Sequence, residues 1–176
     1  MVKSCQKKGF TLIELLVVMS IISLLSSVVF SSLNNIRMKA RDARRVSDLR
    51  QIRNALELYF DKYGYYPQSN CGWDCNNYRY SNSVSSWNSL ATDLAEFISA
   101  LPVDPINSDC PPWTINCYSY TYGNVGKTTY AHQYDLTAQL EDTNNPNRCA
   151  VRNWRFYFDN SLSWCTYNNQ IYEASF

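Results

Sequence analysis

The chain has 176 residues, a length that fits one folded domain with an appendage. Hydrophobic residues make up 45% of the sequence, but much of the aliphatic share lies near the start, and the remainder is polar and rich in tyrosine. Sixteen Lys and Arg against fifteen Asp and Glu give a net charge of +1, which excludes a polyanionic partner held by bulk charge alone.

An apolar segment dominates the beginning of the chain. Residues 12–33 read LIELLVVMSIISLLSSVVFSSL and contain one charge, Glu14. As a helix this segment is about 33 Å long, enough to cross a hydrocarbon layer about 30 Å thick. The lysines before it resemble the basic region of an export signal, but the apolar run is too long for an ordinary cleaved secretory signal. We therefore expect a single membrane-spanning helix.

The helical pattern continues well beyond the apolar segment, because no Gly or Pro occurs between Phe10 and Tyr63. Apolar side chains at three- and four-residue steps predict one buried helix face, formed by Leu33, Ile36, Ala40, Ala43, Leu49, Ile52, Leu56, Tyr59, Phe60 and Tyr63. Charged side chains are predicted on the other face: Arg37, Lys39, Arg41, Asp42, Arg44, Arg45, Asp48, Arg50 and Arg53. Since Gly64 and Pro67 stop such a pattern, we predict one helix over residues 10–63, about 80 Å long.

The residues KKGFTLIELLVV, at positions 7–18, place basic residues, Gly9, Phe10 and Glu14 in register ahead of the apolar helix. This pattern resembles the N-terminal cleavage and methylation motif of type IV pilins and type II secretion pseudopilins. The following stalk, ARDARRVSDLRQIRNALELYFDKYGYYP, and the sequence LPVDP at 101–105 are similar to those of secretion pseudopilins of the G-subunit type and of related small pilins. The resemblance implies that prepilin peptidase cuts after Gly9 and methylates the amine of Phe10.

Glu14 has a physical as well as a family argument. A carboxylate near one end of a membrane helix costs about 2–3 kcal/mol and is kept where it finds a partner. The resemblance implies that this partner is the Phe10 amine of a neighbouring subunit, which would set the register of helices in a filament core. The alternative is a lone glutamate whose carboxylate reaches the nearby headgroups.

The later part of the chain predicts a small α+β head. Residues 69–88 have the composition of a loop, and a short helix should follow, with Trp87, Leu90, Leu94, Phe97, Ile98 and Leu101 on one face. Three stretches then alternate in polarity and predict half-buried strands: Tyr118 to Tyr122, Tyr130 to Leu140, and Trp154 to Phe158. We expect these strands to form an antiparallel sheet packed on the amphipathic half of the long helix.

Six of the seven cysteines lie in this head, and an even number in a small polar domain predicts disulfides formed in an oxidising compartment. Fifteen pairings are possible. The shortest loops suggest Cys71 with Cys75, Cys110 with Cys117, and Cys149 with Cys165. Their spacing fits a zinc site poorly.

Nothing in the sequence predicts an enzyme. The single histidine, His132, lies on the apolar side of a predicted strand, where a core or edge role is expected, and no nucleotide-binding motif occurs. No cofactor and no metal site is predicted. Asp104 and Asp109 could contribute to a calcium site, but two carboxylates do not meet the oxygen count, so solvated turn aspartates are the simpler interpretation.

Two further surfaces have competing interpretations. The arginine-rich stretch after Ile36 could bind DNA, but the interleaved Asp42 and Asp48 favour a salt-bridged face or a contact between stalks. Several aromatic residues could form an adhesive surface or simply pack in the core: Tyr65, Tyr66, Trp73, Tyr78 and Tyr80.

Together these observations predict a leader at 1–9, a transmembrane and filament-core helix at 10–33, the amphipathic helix half at 34–66, and a disulfide-stapled head at 67–176. The expected function is that of a structural subunit of a type IV pilus-like filament. A type II secretion pseudopilin is the first alternative, and an individually anchored surface adhesin is the second. The cationic flank after the apolar segment argues for the reverse orientation by charge. The cysteines and the leader nevertheless place the head outside the cytoplasm, first on the inner membrane and then in an extracellular or periplasmic filament. Expected partners are prepilin peptidase, further copies of the chain, other pilins, inner-membrane assembly proteins and membrane lipid.

Overall fold

The computed structural model describes residues 9–69, 79–110, 114–124, 134–148 and 170–174. The chain divides into two compact units, Met1–Arg37 and Met38–Phe176. Each unit is described by itself below.

The long helix α1 spans Leu12–Tyr63, 52 residues. Its predicted extent of 10–63 is therefore confirmed to within two residues at the start. At its end, Gly64 adopts a positive φ of 74° and its N–H donates to the Phe60 carbonyl oxygen at 2.7 Å. This left-handed residue satisfies a terminal carbonyl group and turns the chain out of the helix, a conformation that favours glycine.

Within the second unit, α1 buries one stripe of side chains. Its apolar members are Val46, Leu49, Ile52, Ala55, Leu56 and Tyr59. The predicted stripe is wrong at its beginning, because Ala40 and Ala43 are exposed, while Arg45 and Asp42 occupy the buried positions one and two turns before Leu49. It is also wrong at its end, where Tyr63 is exposed.

The second helix, α2, spans Val84–Asp93 and buries Trp87 and Leu90. The indole N–H of Trp87 donates to the Pro102 carbonyl oxygen at 2.9 Å. The expectation that this helix continues to Leu101 is wrong. The apolar spacing persists after Asp93, but Phe97, Ile98 and Leu101 lie outside the helix and still pack against the core.

Four antiparallel strands form one sheet in the order β1-β2-β3-β4. The strands are β1 (Arg79–Tyr80), β2 (Thr121–Gly123), β3 (Asp135–Gln139) and β4 (Ile171–Glu173). In register, Tyr122 lies opposite Leu136 on β3, and Ala138 lies opposite Tyr172 on β4. The small antiparallel sheet and long helix confirm the predicted α+β class.

The individual strand predictions fared unevenly. Two of the three alternating stretches overlap β2 and β3, while residues 154–158 lie outside the described part of the chain. The expectation that these strands are half-buried is wrong, because every residue of β2 and β3 is buried. The expectation of loop throughout 69–88 is wrong where β1 and the start of α2 occur. Strand β1 has two residues, too few to show an alternation of polar and apolar side chains. Its partner β2 lies far along the chain, so no local signal predicts the pairing.

One core joins the buried stripe of α1, helix α2 and the sheet. Tyrosines supply much of it, and their hydroxyl groups have partners. Tyr120 donates to Asp48 Oδ2 at 2.8 Å, Tyr122 to the Pro67 carbonyl oxygen at 2.6 Å, and Tyr134 to Glu57 at 2.9 Å. Burying these rings is favourable because each polar hydroxyl retains a hydrogen bond.

Candidate processing and assembly site

The predicted cleavage position lies just before α1 begins. Gly9 and Phe10 are exposed and outside the helix, and the Phe10 side chain is 87% exposed. Exposed, non-helical backbone is the kind of segment that proteases cut. The structure therefore leaves the Gly9–Phe10 peptide bond accessible.

Thr11 and Glu14 form a reciprocal cap at the start of α1. The backbone N–H of Thr11 donates to Glu14 Oε2 at 2.9 Å, and the Thr11 hydroxyl donates to the same oxygen at 2.7 Å. In return, the Glu14 N–H donates to Thr11 Oγ1 at 3.3 Å. This is the capping-box arrangement, which fixes where a helix begins and places a carboxylate at the positive end of its dipole.

Thr11 is a functional residue that the sequence reasoning missed. The signal was present, since a threonine followed three residues later by a glutamate before an apolar run predicts such a cap. The predicted partner of Glu14, the Phe10 amine of another subunit, belongs to an assembly of several chains.

By length and composition, α1 is the helix among the described residues that is able to cross a membrane. In the first unit its large apolar side chains are exposed; they include Leu12, Ile13, Leu16, Ile21, Leu24 and Phe30. Such a surface needs lipid or other helices around it, because water solvates it unfavourably. A long apolar N-terminal helix of this kind fits a membrane anchor.

The second unit contains a buried group of charges that we call the arginine cluster: Arg41, Asp42, Arg45, Asp104 and Glu141. Arg45 Nε and Nη2 donate to the two carboxylate oxygens of Asp104, at 2.7 and 3.1 Å. Arg45 Nη1 donates to Asp42 at 2.8 Å and to Glu141 at 2.6 Å. Arg41 Nε donates to the same Glu141 oxygen at 2.7 Å.

Every carboxylate in the cluster has further donors or a second cation. Asp42 accepts the backbone N–H groups of Glu141 and Asp142, at 2.9 and 2.8 Å. Asp104 Oδ1 accepts those of Ile106 and Asn107, at 2.8 and 3.2 Å. Buried charges need this degree of pairing, because each one loses its hydration.

The cluster also sets the ionisation of its members. Burial alone would lower the pKa of Arg45, but the hydrogen bonds and charges of Asp104 and Glu141 outweigh burial and raise it. Likewise burial would raise the pKa of Glu141, and the hydrogen bonds from Arg41 and Arg45 lower it overall. Arg45 and Glu141 are thus held in their ionised forms. The Arg45 guanidinium also lies 4.7 Å from the centre of the Tyr118 ring.

The arginine cluster corrects two sequence interpretations. The side chains of Arg45 and Asp42 are fully buried, so the charged stretch of α1 is not a solvent face throughout. Asp104 is buried and bound to Arg45, so it is neither a solvated turn aspartate nor a carboxylate open to calcium, whereas Asp109 is exposed. Within the described ranges, no group of His, Cys, Asp and Glu side chains could hold a metal ion.

A disulfide joins Cys110 and Cys117, the pairing suggested by loop length. The other candidates lie outside the described residues: Cys71, Cys75, Cys149 and Cys165. His132 also lies outside them.

The aromatic residues singled out as a possible adhesive surface do not form one in the described part. Tyr66 is buried and its hydroxyl donates to Glu57 at 2.9 Å, while Tyr65 is partly buried against the core. Tyr80 is partly buried on β1. Trp73 and Tyr78 fall outside the described residues.

The chain has recognisable relatives. The family model for the prokaryotic N-terminal methylation motif matches residues 5–30. Type II secretion system core protein G of Escherichia coli (strain K12) is 32% identical over 151 residues, covering 85% of this chain and 92% of that protein. The protein of the same name from Vibrio cholerae is 25% identical over 88% of this chain and 96% of its own length. The one from Klebsiella pneumoniae is 33% identical over 59% of this chain and 72% of its own length. No solved structure matches the chain.

These relatives favour one of the functions expected from the sequence. They are named as secretion-system components, which supports the pseudopilin alternative better than a type IV pilus subunit. Like these secretion-system core proteins, the chain is not an enzyme. Since the similarity to the Escherichia coli protein extends over most of both chains, this chain belongs to the type II secretion core protein G family of pilin-like proteins.

Proposed function

We propose that the chain is a pseudopilin, the structural subunit of a short filament in a type II secretion machine. The observation that supports this best is the 32% identity to a secretion core protein over 151 residues. This similarity extends far beyond residues 5–30, which carry the N-terminal motif shared with surface pili. Other pseudopilins and inner-membrane assembly proteins would be its partners.

Processing is the first step of the proposal. Prepilin peptidase removes a leader at 1–9, cutting the exposed Gly9–Phe10 bond, and methylates the Phe10 amine. Residues 10–33 anchor the subunit in the inner membrane. Residues 34–66 form the amphipathic segment, in which α1 ends at Tyr63, and residues 67–176 form a head outside the cytoplasm. Mass spectrometry of the native protein should find an N-methylated chain that begins at Phe10. A mature chain that retains the leader, or one cut after Ser32, contradicts the proposed processing.

Assembly is the second step, in which Glu14 pairs with the Phe10 amine of a neighbouring subunit. Glu14→Gln is the sharpest test, because glutamine can also complete a capping box while it carries no charge. We expect this variant to insert and to be cleaved normally but to give few filaments. Thr11→Ala, which removes the capping hydroxyl and retains the carboxylate, is the matched comparison. Filament yield unchanged by Glu14→Gln would exclude the charge pairing.

The type of machine is tested in cells. Deleting the gene should block export of secreted proteins and leave long surface fibres in place. Loss of long fibres with normal export would instead favour a type IV pilus subunit. If crosslinking of the native protein gave no ladder of oligomers, an individually anchored adhesin would replace both filament functions.

A further inference from the structure

Near the start of the second unit, all exposed charges on α1 are positive. Every exposed charged residue from 39 to 50 is a cation: Lys39, Arg44 and Arg50, which we call the basic segment. The acids of the same stretch do not offset them at the surface, because Asp42 belongs to the buried arginine cluster and Asp48 is buried against Tyr120. Arg44 lies 3.5 Å from Asp48 but keeps 62% of its side chain exposed.

The opposite sign prevails at the end of the same helix. Asp61 on α1 and Glu96, which follows α2, form what we call the acidic end, and both are exposed. One exposed cation lies beside them, Lys62, whose ammonium donates to both Glu96 oxygens at 2.6 Å. The two oxygens of Glu57 accept from Tyr66 and Tyr134, so this carboxylate is not counted at the surface, and two exposed carboxylates against one ammonium leave the acidic end negative.

The exposed face of α1 from the basic segment to the acidic end allows another chain to approach closely. Its exposed uncharged residues are small or neutral: Ala43 and Ser47 within the basic segment, and Gln51 and Asn54 after it. Leu58, beside the acidic end, exposes 53% of an apolar side chain. Small side chains and an exposed leucine between two charged borders suit a protein partner better than bulk water.

We infer that this face of α1 contacts a second copy of the chain, displaced along the helix axis so that the acidic end of one copy lies against the basic segment of the next. The inference deepens the proposed function and rests on it, since subunits that enter a filament from one membrane lie parallel. In parallel copies without displacement, cations would face cations, which charge complementarity disfavours. Asp61 lies 11 residues after Arg50 and 22 after Lys39, so the displacement is roughly 16–33 Å at 1.5 Å per residue.

DNA is the other partner that exposed cations could attract. Three observations favour a second copy instead: Arg45 is buried, Arg41 is bound to Glu141, and the acidic end on the same helix would repel phosphates. The experiment below includes this alternative.

The test uses the full-length chain in cells that carry the secretion machinery, with the filament fraction released by shearing as the readout. Lys39→Glu/Arg50→Glu and, separately, Asp61→Lys should each lower that fraction roughly threefold to tenfold, because attraction becomes repulsion at every subunit contact. Combining all three substitutions in one chain should restore it to within about twofold of the wild type. Asp109→Lys, a charge reversal at an exposed position away from both regions, is the matched control and should have no effect.

Each outcome decides the inference. Loss in the separate variants with recovery in the combined one supports it. Unchanged filaments in Lys39→Glu/Arg50→Glu, or no recovery in the combined variant, overturns it while the pseudopilin proposal stands. A wild type that is exported and cleaved but forms no filament refutes the proposed function and this contact together. If Lys39→Glu/Arg50→Glu abolishes a gel shift with duplex DNA and leaves filaments intact, the basic segment binds DNA instead.

Discussion

Replacing Arg45 with methionine should destabilise the second unit by about 3–5 kcal/mol, the usual cost of removing one partner from a buried ion pair. Methionine fills a similar volume but donates none of the four hydrogen bonds that Arg45 makes to Asp104, Asp42 and Glu141. Asp42 and Asp104 would then remain buried without their cation. Since small domains are stable by about 5–15 kcal/mol in total, the loss is a large share of the stability.

Thermal unfolding of the full chain in detergent, followed by near-ultraviolet circular dichroism, measures this effect. For a unit of this size the expected loss lowers Tm by roughly 10–20 °C. Arg44→Met is the matched control, because it makes the same change one position earlier at a largely exposed side chain whose nearest carboxylate, that of Asp48, is 3.5 Å away. That variant should change stability by no more than about 0.5 kcal/mol.

If the free energies of unfolding of Arg45→Met and Arg44→Met differ by less than about 1 kcal/mol, the arginine cluster does not stabilise the fold by charge pairing. Arg45→Lys adds a second check, since lysine retains the charge but cannot form the two-pronged bond to Asp104. It should fall between the wild type and Arg45→Met.

Three further predictions follow from the second unit. The pKa of Glu141 is lowered in the folded protein, so its ionised form stabilises the fold at neutral pH. This stabilisation is lost as the pH falls below about 4.5. Glu141→Gln should therefore make Tm depend less on pH in the acid range. Burial, together with neighbouring carboxylates, raises the pKa of Tyr120 and Tyr134, whereas tyrosine in the unfolded chain ionises near about pH 10. The stability of the fold should therefore decrease above about pH 10. Tyrosinate absorbance at 295 nm should increase only as the near-ultraviolet circular dichroism of the folded protein disappears. Early tyrosinate formation in the folded protein would contradict this burial. Cys110→Ser should cost about 2–3 kcal/mol by the loop-entropy argument, measured by urea unfolding against the oxidised wild type. Equal stability of these two proteins would show that the bond to Cys117 does not stabilise the fold.

The long helix could be predicted almost entirely from the sequence, because its limits depend on local signals. Gly64 ends α1, and the absence of Gly and Pro before it permits a continuous helix. The end of α2 could not be predicted in the same way. Phe97 and Ile98 keep a helical spacing although they lie outside the helix, since tertiary packing can bury apolar residues without a regular helix.

The arginine cluster could not be predicted, for a different physical reason. Arg45 is four residues before Leu49 and so lies on the buried stripe. Charged residues are rarely buried without partners, so the sequence alone predicts an exposed side chain at this position. Those partners, Asp104 and Glu141, are 59 and 96 residues away in the chain. Periodicity describes neighbours along one helix and contains no information on a carboxylate that arrives from a distant loop.

The same separation in sequence has a consequence for the order in which the protein folds. The guanidinium of Arg45 cannot lose its hydration at a tolerable cost until Glu141 has been synthesised, because most of its compensating charge comes from residues made much later. Closing loops of 59 and 96 residues costs entropy before any contact is made, and proteins dominated by such distant contacts fold slowly. Helix α1 can therefore form early, whereas the second unit packs only near the end of synthesis. Between these two events, the residues of its future core are accessible to chaperones and proteases.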